Sequence, residues 1–321
     1  MKLSRPFNCI VFGLTIALSA WLVPPAAHAQ TPTGAPAPGQ QTFATPDDAV
    51  AALKTAVESD DNSALDKIFG PEIQSLRTGD KVQDAKNRRH FAMAMAENCQ
   101  LDKQNDNEIF VEAGTNNWPM PIPLVQTNGQ WFFDTVAGKE EAIDRHIGRD
   151  ELAAIGVCRA YVTAQQQFAA MNGGVYAQKF KSSDGKRDGL YWPSAENEPT
   201  SVFGRLVAEA DAEGYSGGKG PQPFHGYFFR ILTRQGPDAP GGKKDYKSDG
   251  CLKNGFALVA WPQQWDQSGV MTFIVNQDGK VYQTSFGDKT SRIASKIREY
   301  NPDDRWQLVQ DEGLRDVILE K

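Results

Sequence analysis

Histidine and cysteine are both scarce in this chain, four of each in 321 residues. No Cys-x-x-Cys pair occurs, and no Cys/His spacing matches a zinc site, so neither a thioredoxin-like redox motif nor a structural metal centre is expected. No run of Lys and Arg occurs, which argues against nucleic acid as a partner, because phosphate binding needs clustered positive charge. Beyond residue 23 there is no second long apolar run, so no transmembrane helix is expected after it.

The first 29 residues carry the clearest signal. Lys2 and Arg5 give a positive start, Cys9 to Val23 form an apolar run, and Ala27-His28-Ala29 offers small residues for cleavage. This is the pattern of a secretory signal peptide, and the run is too short for a comfortable span. Gln30, not cysteine, follows the cleavage site, so no lipid anchor is expected there. The reading is a periplasmic or secreted protein beginning near Gln30, expected to be a monomer. Without Lys2 and Arg5 the mature chain has 32 basic against 40 acidic residues, a net charge of −8. Cys99, Cys158 and Cys251 remain, an odd number that permits at most one internal bridge. Cys158 lies among apolar residues of a helical pattern and reads as a small buried hydrophobe.

Residues 30–42, rich in Pro, Gly, Ala, Thr and Gln, read as a disordered leader. Order then begins with Thr45 as N-cap, Pro46 at the first helical position and Asp48 three residues after the cap. Val50, Leu53 and Val57 share one face of that helix. A short helix over Ser63 to Phe69 stops at Gly70-Pro71, and Asp80 to Asn98 is helical in composition. Strands follow: Glu108 to Ala113 alternates, and Asn128-Gly129 joins two further strands as a type I′ hairpin. Helices followed by a curled antiparallel sheet resemble, at the level of fold alone, the cone-shaped proteins related to nuclear transport factor 2.

Gly138 to Arg149 reads as a connecting helix and Asp150 to Met171 as a longer one, ended by Gly173-Gly174. Its inner stripe is Leu152, Ile155, Val162 and Ala169. An irregular section, Lys181 to Phe224, contains one short helix near Val202 to Glu213. Strands are expected at Tyr227 to Thr233, Gly255 to Trp261, Val270 to Asn276 and Val281 to Thr284. A closing helix is expected over Thr290 to Tyr300. The fold class is α+β, divided as 43–148, an N-terminal unit of helices and a cone-like sheet, and 149–321, a long helix packed on an antiparallel sheet.

Three blocks, GKRDGLYWP (Gly185 to Pro193), HGYFFRILTRQGPDAPGG (His225 to Gly242) and GFALVAWPQQWDQSGVMTFIVNQDGKVYQ (Gly255 to Gln283), resemble an exported bacterial family of unknown function, catalogued as domain of unknown function 2950. NNWPMPIPLV, GQWFFDTVAGKEEAIDRHIGRDEL and CRAYVTAQQQFA match it as well, so the resemblance covers nearly the whole mature chain. It implies export and no established activity. The helix ending AQQQFAAMNGGVYA and the strands GYFFRIL, GFALVAWP and TFIVNQDGKVYQ are also similar to the soluble domains of type IV pilins and type II secretion pseudopilins. The pilin leader and its hydrophobic helix are missing here, which implies a head that does not polymerise.

Candidate chemistry is thin. Gly214-Tyr215-Ser216-Gly217-Gly218 has the spacing of a nucleophile elbow, but a helical segment precedes it and GKGPQP follows, so it reads as a flexible loop. Gly217-Gly218-Lys219-Gly220 lacks the hydroxyl residue of a phosphate loop. His90, His146 and His225 are scattered, with His146 expected on an exposed helix face and His225 at a strand entrance. Asp238, Asp245 and Asp249 lie in a Lys-rich loop without calcium-binding spacing. No catalytic set, metal site or cofactor is expected.

The segment with most to offer is Lys186, Arg187, Asp188, Tyr191 and Trp192, which puts charge and aromatic faces on one loop. With His225 it forms the expected binding site. The competing reading makes Tyr191 and Trp192 packing anchors, with the charges paired at the rim; Trp261 and Trp265 carry the same ambiguity. The function expected is a non-catalytic binding or assembly module of the bacterial cell envelope, with an envelope protein or glycan as partner. The alternative is an envelope hydrolase using His225 with a carboxylate such as Asp188.

Overall fold

A computed structural model describes residues 34–77, 81–192, 203 and 223–310. The signal segment 1–29, the glycine motifs at 214–220 and, apart from Phe203, the short helix expected over 202–213 lie outside the described residues. The architecture is α+β, with antiparallel sheets and a hydrophobic core in two clusters. Among the described residues no helix is long and apolar enough to cross a membrane.

Helix α1 (Pro46–Glu58) begins as its capping signature predicts: Thr45 Oγ1 accepts the Asp48 N–H at 3.2 Å and donates to the Asp48 carboxylate at 2.7 Å. Its Ala49, Leu53 and Val57 are buried. Helix α2 (Asn62–Phe69) is capped by Asp61, whose carboxylate accepts the N–H groups of Ser63 and Ala64 at 3.0 Å. A 3-10 turn, Pro71–Leu76, follows, then α3 (Lys81–Glu97), which buries Met95. Before α1, Gln40 already ties the chain down, donating through Nε2 to the carbonyls of Ile68 at 3.1 Å and Phe133 at 2.7 Å.

The first sheet has the order β1 (Cys99–Asn105), β2 (Glu108–Ala113), β4 (Leu124–Thr127), β5 (Gln130–Phe133), with β3 (Trp118–Pro119) also paired to β2. Asn128 (φ 53°) and Gly129 (φ 76°) turn the β4–β5 hairpin with the two positive angles that a type I′ turn demands. Strand β1 has no alternation to betray it, because after Cys99 every one of its residues is exposed.

The two helices expected over 138–171 are one. Helix α4 (Thr135–Met171) runs 37 residues, about 55 Å at 1.5 Å per residue, from its Asp134 cap. Asp150 looks like a cap in sequence, but its carboxylate is buried against the C-terminal part of the chain and starts nothing. The first third of α4 rests on the 3-10 turn, and its later turns cross the second sheet. Of the expected stripe, Ile155, Val162 and Ala169 are buried and Leu152 packs at the edge.

The second sheet is antiparallel throughout, in the order β14 (Gln307–Leu308), β13 (Val281–Thr284), β12 (Thr272–Asn276), β11 (Ala257–Pro262), β6 (Tyr227–Leu232). Strands β11 and β12 are buried along their whole length, since α4 packs across β11 to β13 and α5 (Thr290–Ala294) packs on β11. Each large apolar side chain they bury contributes about 1.5–3 kcal/mol. Between β6 and β11 the loop forms two small strand pairs, β7 (Arg234–Gln235) with β8 (Lys244–Asp245) and β9 (Lys247–Ser248) with β10 (Cys251–Leu252).

The closing helix is shorter than expected. The Lys296 and Ile297 N–H groups bond only three residues back, the carbonyl of Ser295 accepts from Arg230 at 2.8 Å, and Tyr300 exchanges backbone hydrogen bonds with Arg234 and Gly236, so the helix does not continue to Tyr300. All three cysteines of the described chain are free thiols.

Candidate functional site

The expected loop is built around Asp188. Its carboxylate accepts from Lys179 Nζ at 2.8 Å, from the Ser183 N–H at 2.8 Å and from Ser183 Oγ at 3.1 Å. The Lys179 hydrogen bond, more than any other contact, holds that carboxyl well below the usual carboxylate range. Backbone bonds from Leu190 to Lys179 and from Tyr191 to Phe180 close the loop. Trp192 is 5 % exposed and belongs to the core with Leu190, and the Arg187 guanidinium lies 5.8 Å from its ring centroid. Lys186 and Arg187 are exposed, and Tyr191 is half-buried. His225, at φ 46°, stands before β6 with its ring edge-on to Phe224.

The described residues hold a second feature that the sequence reading did not anticipate. Helices α1, α2 and α3, the 3-10 turn, β3 and the first third of α4 line a cavity of about 300 Å³ that opens to the surface, the lower end of the size range of small-molecule sites. Its walls are mainly apolar: Leu65, Phe69, Phe91, Trp118, Met120 and Ile122 face it. An adjoining hollow of about 430 Å³, lined by His90, Glu97, Thr115 and Asn116 among others, shares Phe91, Trp118 and Arg149 with it. Arg149 is exposed where the two meet and forms no ion pair among the described residues. The neighbouring arginines are engaged, Arg77 with Asp66 at 2.7 Å and Arg88 with Asp60 at 2.8 Å. Arg145 stacks over Trp118, 4.6 Å from its ring centroid.

One wall of the cavity carries His146, which is 7 % exposed rather than on the open helix face expected of it. Four residues on, Asp150 is 2 % exposed, and its Oδ2 lies 3.1 Å from His146 Nε2. The two atoms are too poorly aligned for a hydrogen bond, and neither has another hydrogen-bond partner among the described residues. His146 Nδ1 also makes no hydrogen bond among the described residues, but it is not sealed, so it opens toward the cavity that the residue lines.

The burial of this pair comes from the C-terminal part. Gly226 (φ 68°) sits so close to Asp150 that a Cβ there would overlap Asp150 Oδ2 and fall 2.7 Å from Ser268 Cβ. Next along α4, Glu151 Oε1 accepts the N–H groups of Val270 and Met271, each at 2.9 Å. Tyr227 donates to the Met271 carbonyl at 2.9 Å, and burial first, then Glu151 and Asp150, raise its pKa. The signal that could have revealed the pair is the four-residue spacing of His146 and Asp150, which stacks them on one helix face. Splitting the helix at residue 150 hid it.

Chemically, an imidazole backed by a carboxylate keeps its proton on the carboxylate side and presents the other nitrogen as an acceptor. In an apolar cavity such a group recognises a donor with little competition from water.

A family model described as Protein of unknown function (DUF2950) matches residues 40–309. No curated protein and no solved structure matches.

Proposed function

We propose a binding role for this chain, which belongs to the family described as protein of unknown function DUF2950. It is a non-catalytic module of the bacterial cell envelope that takes a small, mainly apolar molecule into the cavity between α3 and α4. The observation that carries this is the cavity itself: apolar walls that end on a buried imidazole whose Nδ1 makes no hydrogen bond among the described residues.

Export to the periplasm or the medium follows from the signal pattern at 1–29 and is part of this proposal. The division into units 43–148 and 149–321 is supported by the two hydrophobic clusters, bridged by α4. The pseudopilin-like reading of the second unit is supported by a long helix lying across an antiparallel sheet.

Lys186 and Arg187, exposed on the loop that ends in Trp192, support a second surface, one for an acidic glycan or envelope protein, for which Asp188, Tyr191 and His225 are the other residues proposed. A hydrolase centred on His225 and Asp188 is the less favoured reading, because Asp188 is held by Lys179 and Ser183.

The test is binding of nitrobenzene, a neutral aromatic probe, followed by quenching of tryptophan fluorescence. Saturable quenching that disappears in Ala142→Trp, a substitution that fills the cavity from α4, supports the reading. Equal quenching in the filled variant, or none in the wild-type chain, overturns it.

A further inference from the structure

This inference rests on the cavity being a ligand site and specifies what enters it. We propose that the ligand is a small phenol, one or two aromatic rings with a free hydroxyl, whose O–H is received by His146 Nδ1 and whose oxygen faces Arg149.

Four features of the cavity select this class. A volume of about 300 Å³ suits a ligand of one or two rings, and Phe69, Phe91 and Trp118 offer aromatic walls for them. The Asp150 carboxylate, 3.1 Å from Nε2, favours the imidazole proton on that side by its charge, and Nδ1 is then an acceptor that calls for a donor. A carboxylic acid has already lost its proton at neutral pH and has none to offer, whereas a phenol, with a pKa near 10, keeps its own. Arg149, exposed and without an ion pair among the described residues, is a donor to the phenol oxygen.

The misaligned pair gains a purpose in this picture. His146 Nε2 and Asp150 Oδ2 are sealed 3.1 Å apart without a good hydrogen bond, an arrangement that buried polar atoms rarely keep. A hydroxyl drawn to Nδ1 turns the ring and brings Nε2–H onto the carboxylate. The charged groups that line the cavity with this imidazole, or lie against it, are Arg149 and Asp150 on α4, and Asp84 and Arg88 on α3. Asp66 and Arg77 close the far side, and Glu151 and Tyr227 stand behind Asp150.

The probe is 4-nitrophenol, titrated into the full-length mature chain at a pH about two units below its own pKa, where it keeps its proton, with tryptophan quenching as the measure of binding. The expected result is about tenfold tighter binding than nitrobenzene, which lacks the hydroxyl. His146→Phe is expected to lose that gain while still binding nitrobenzene, and Arg149→Met, at an exposed position, to lose part of it. Should His146→Phe fail to fold, Arg149→Met carries the test. Equal affinity for the two probes, or a gain undiminished in both variants, overturns the phenol assignment while nitrobenzene binding keeps the cavity. If neither probe binds, the cavity reading falls as well.

Discussion

Glu151 Oε1 on α4 accepts two consecutive backbone N–H groups, those of Val270 and Met271, both at 2.9 Å. A single carboxylate oxygen thereby fixes the long helix to the chain entering β12, one turn from the cavity-lining His146. Replacing Glu151 with Ala leaves both donors without that partner and is expected to destabilise the protein by about 1–3 kcal/mol. Glu151→Gln keeps an acceptor oxygen and is expected to lose less. Urea unfolding midpoints of the two variants check the order; equal losses contradict it.

Gly226 is held at φ 68° against Asp150 and Ser268. Gly226→Ala adds a strained backbone angle, about 1 kcal/mol, to an overlap with the Asp150 carboxylate. The expected outcome is a loss of more than about 2 kcal/mol, seen as a lower melting temperature, together with a change in the His146 side-chain NMR signals. An unchanged melting temperature contradicts the packing described.

Cys158 is fully buried, and burial pushes its thiol up to about 12, with Arg159 opposing only weakly. The thiolate is the reactive form, so near pH 8 the native chain is expected to leave Cys158 unlabelled by iodoacetamide and to label it in concentrated urea. Mass spectrometry of the digested protein reads this directly. Native labelling at the rate of an open thiol contradicts the burial.

Asp188 titrates below the usual carboxylate range because Lys179 and the Ser183 N–H bond its charged form. A lowered folded pKa means that its contribution is present above the unfolded value, about 3.9, and is lost as pH falls toward the folded one. Hydrogen exchange at the Ser183 amide is expected to lose protection over that acid range. In Asp188→Asn that dependence is expected to disappear; if it persists, the loop is held by other groups.

Where local chemistry decides the structure, the sequence was sufficient to read it. Thr45, Pro46 and Asp48 start α1, Asn128-Gly129 turns a hairpin, and the near-continuous apolar runs of β11 and β12 mark buried strands. Where tertiary contacts decide it, the sequence was silent. Exposed β1 has no alternation, and Asp150 reads as a helix start until Gly226 is seen pressing on it. The cavity was illegible for the same reason: its walls come from segments between Val57 and Arg149, and Asp150 behind its polar end is covered by Gly226, far along the chain. The loop at 186–192 was conspicuous because its residues are consecutive, although the placement of Trp192 in the core needed the structure.

The most direct test of the cavity as the binding site is a map of amide NMR shifts on addition of 4-nitrophenol. The account predicts saturable shifts concentrated at Phe69, Phe91, Trp118, Ile122 and His146, with Lys186, Arg187 and Tyr191 unmoved. Shifts confined to the 186–192 loop and His225, with the cavity silent, would contradict it.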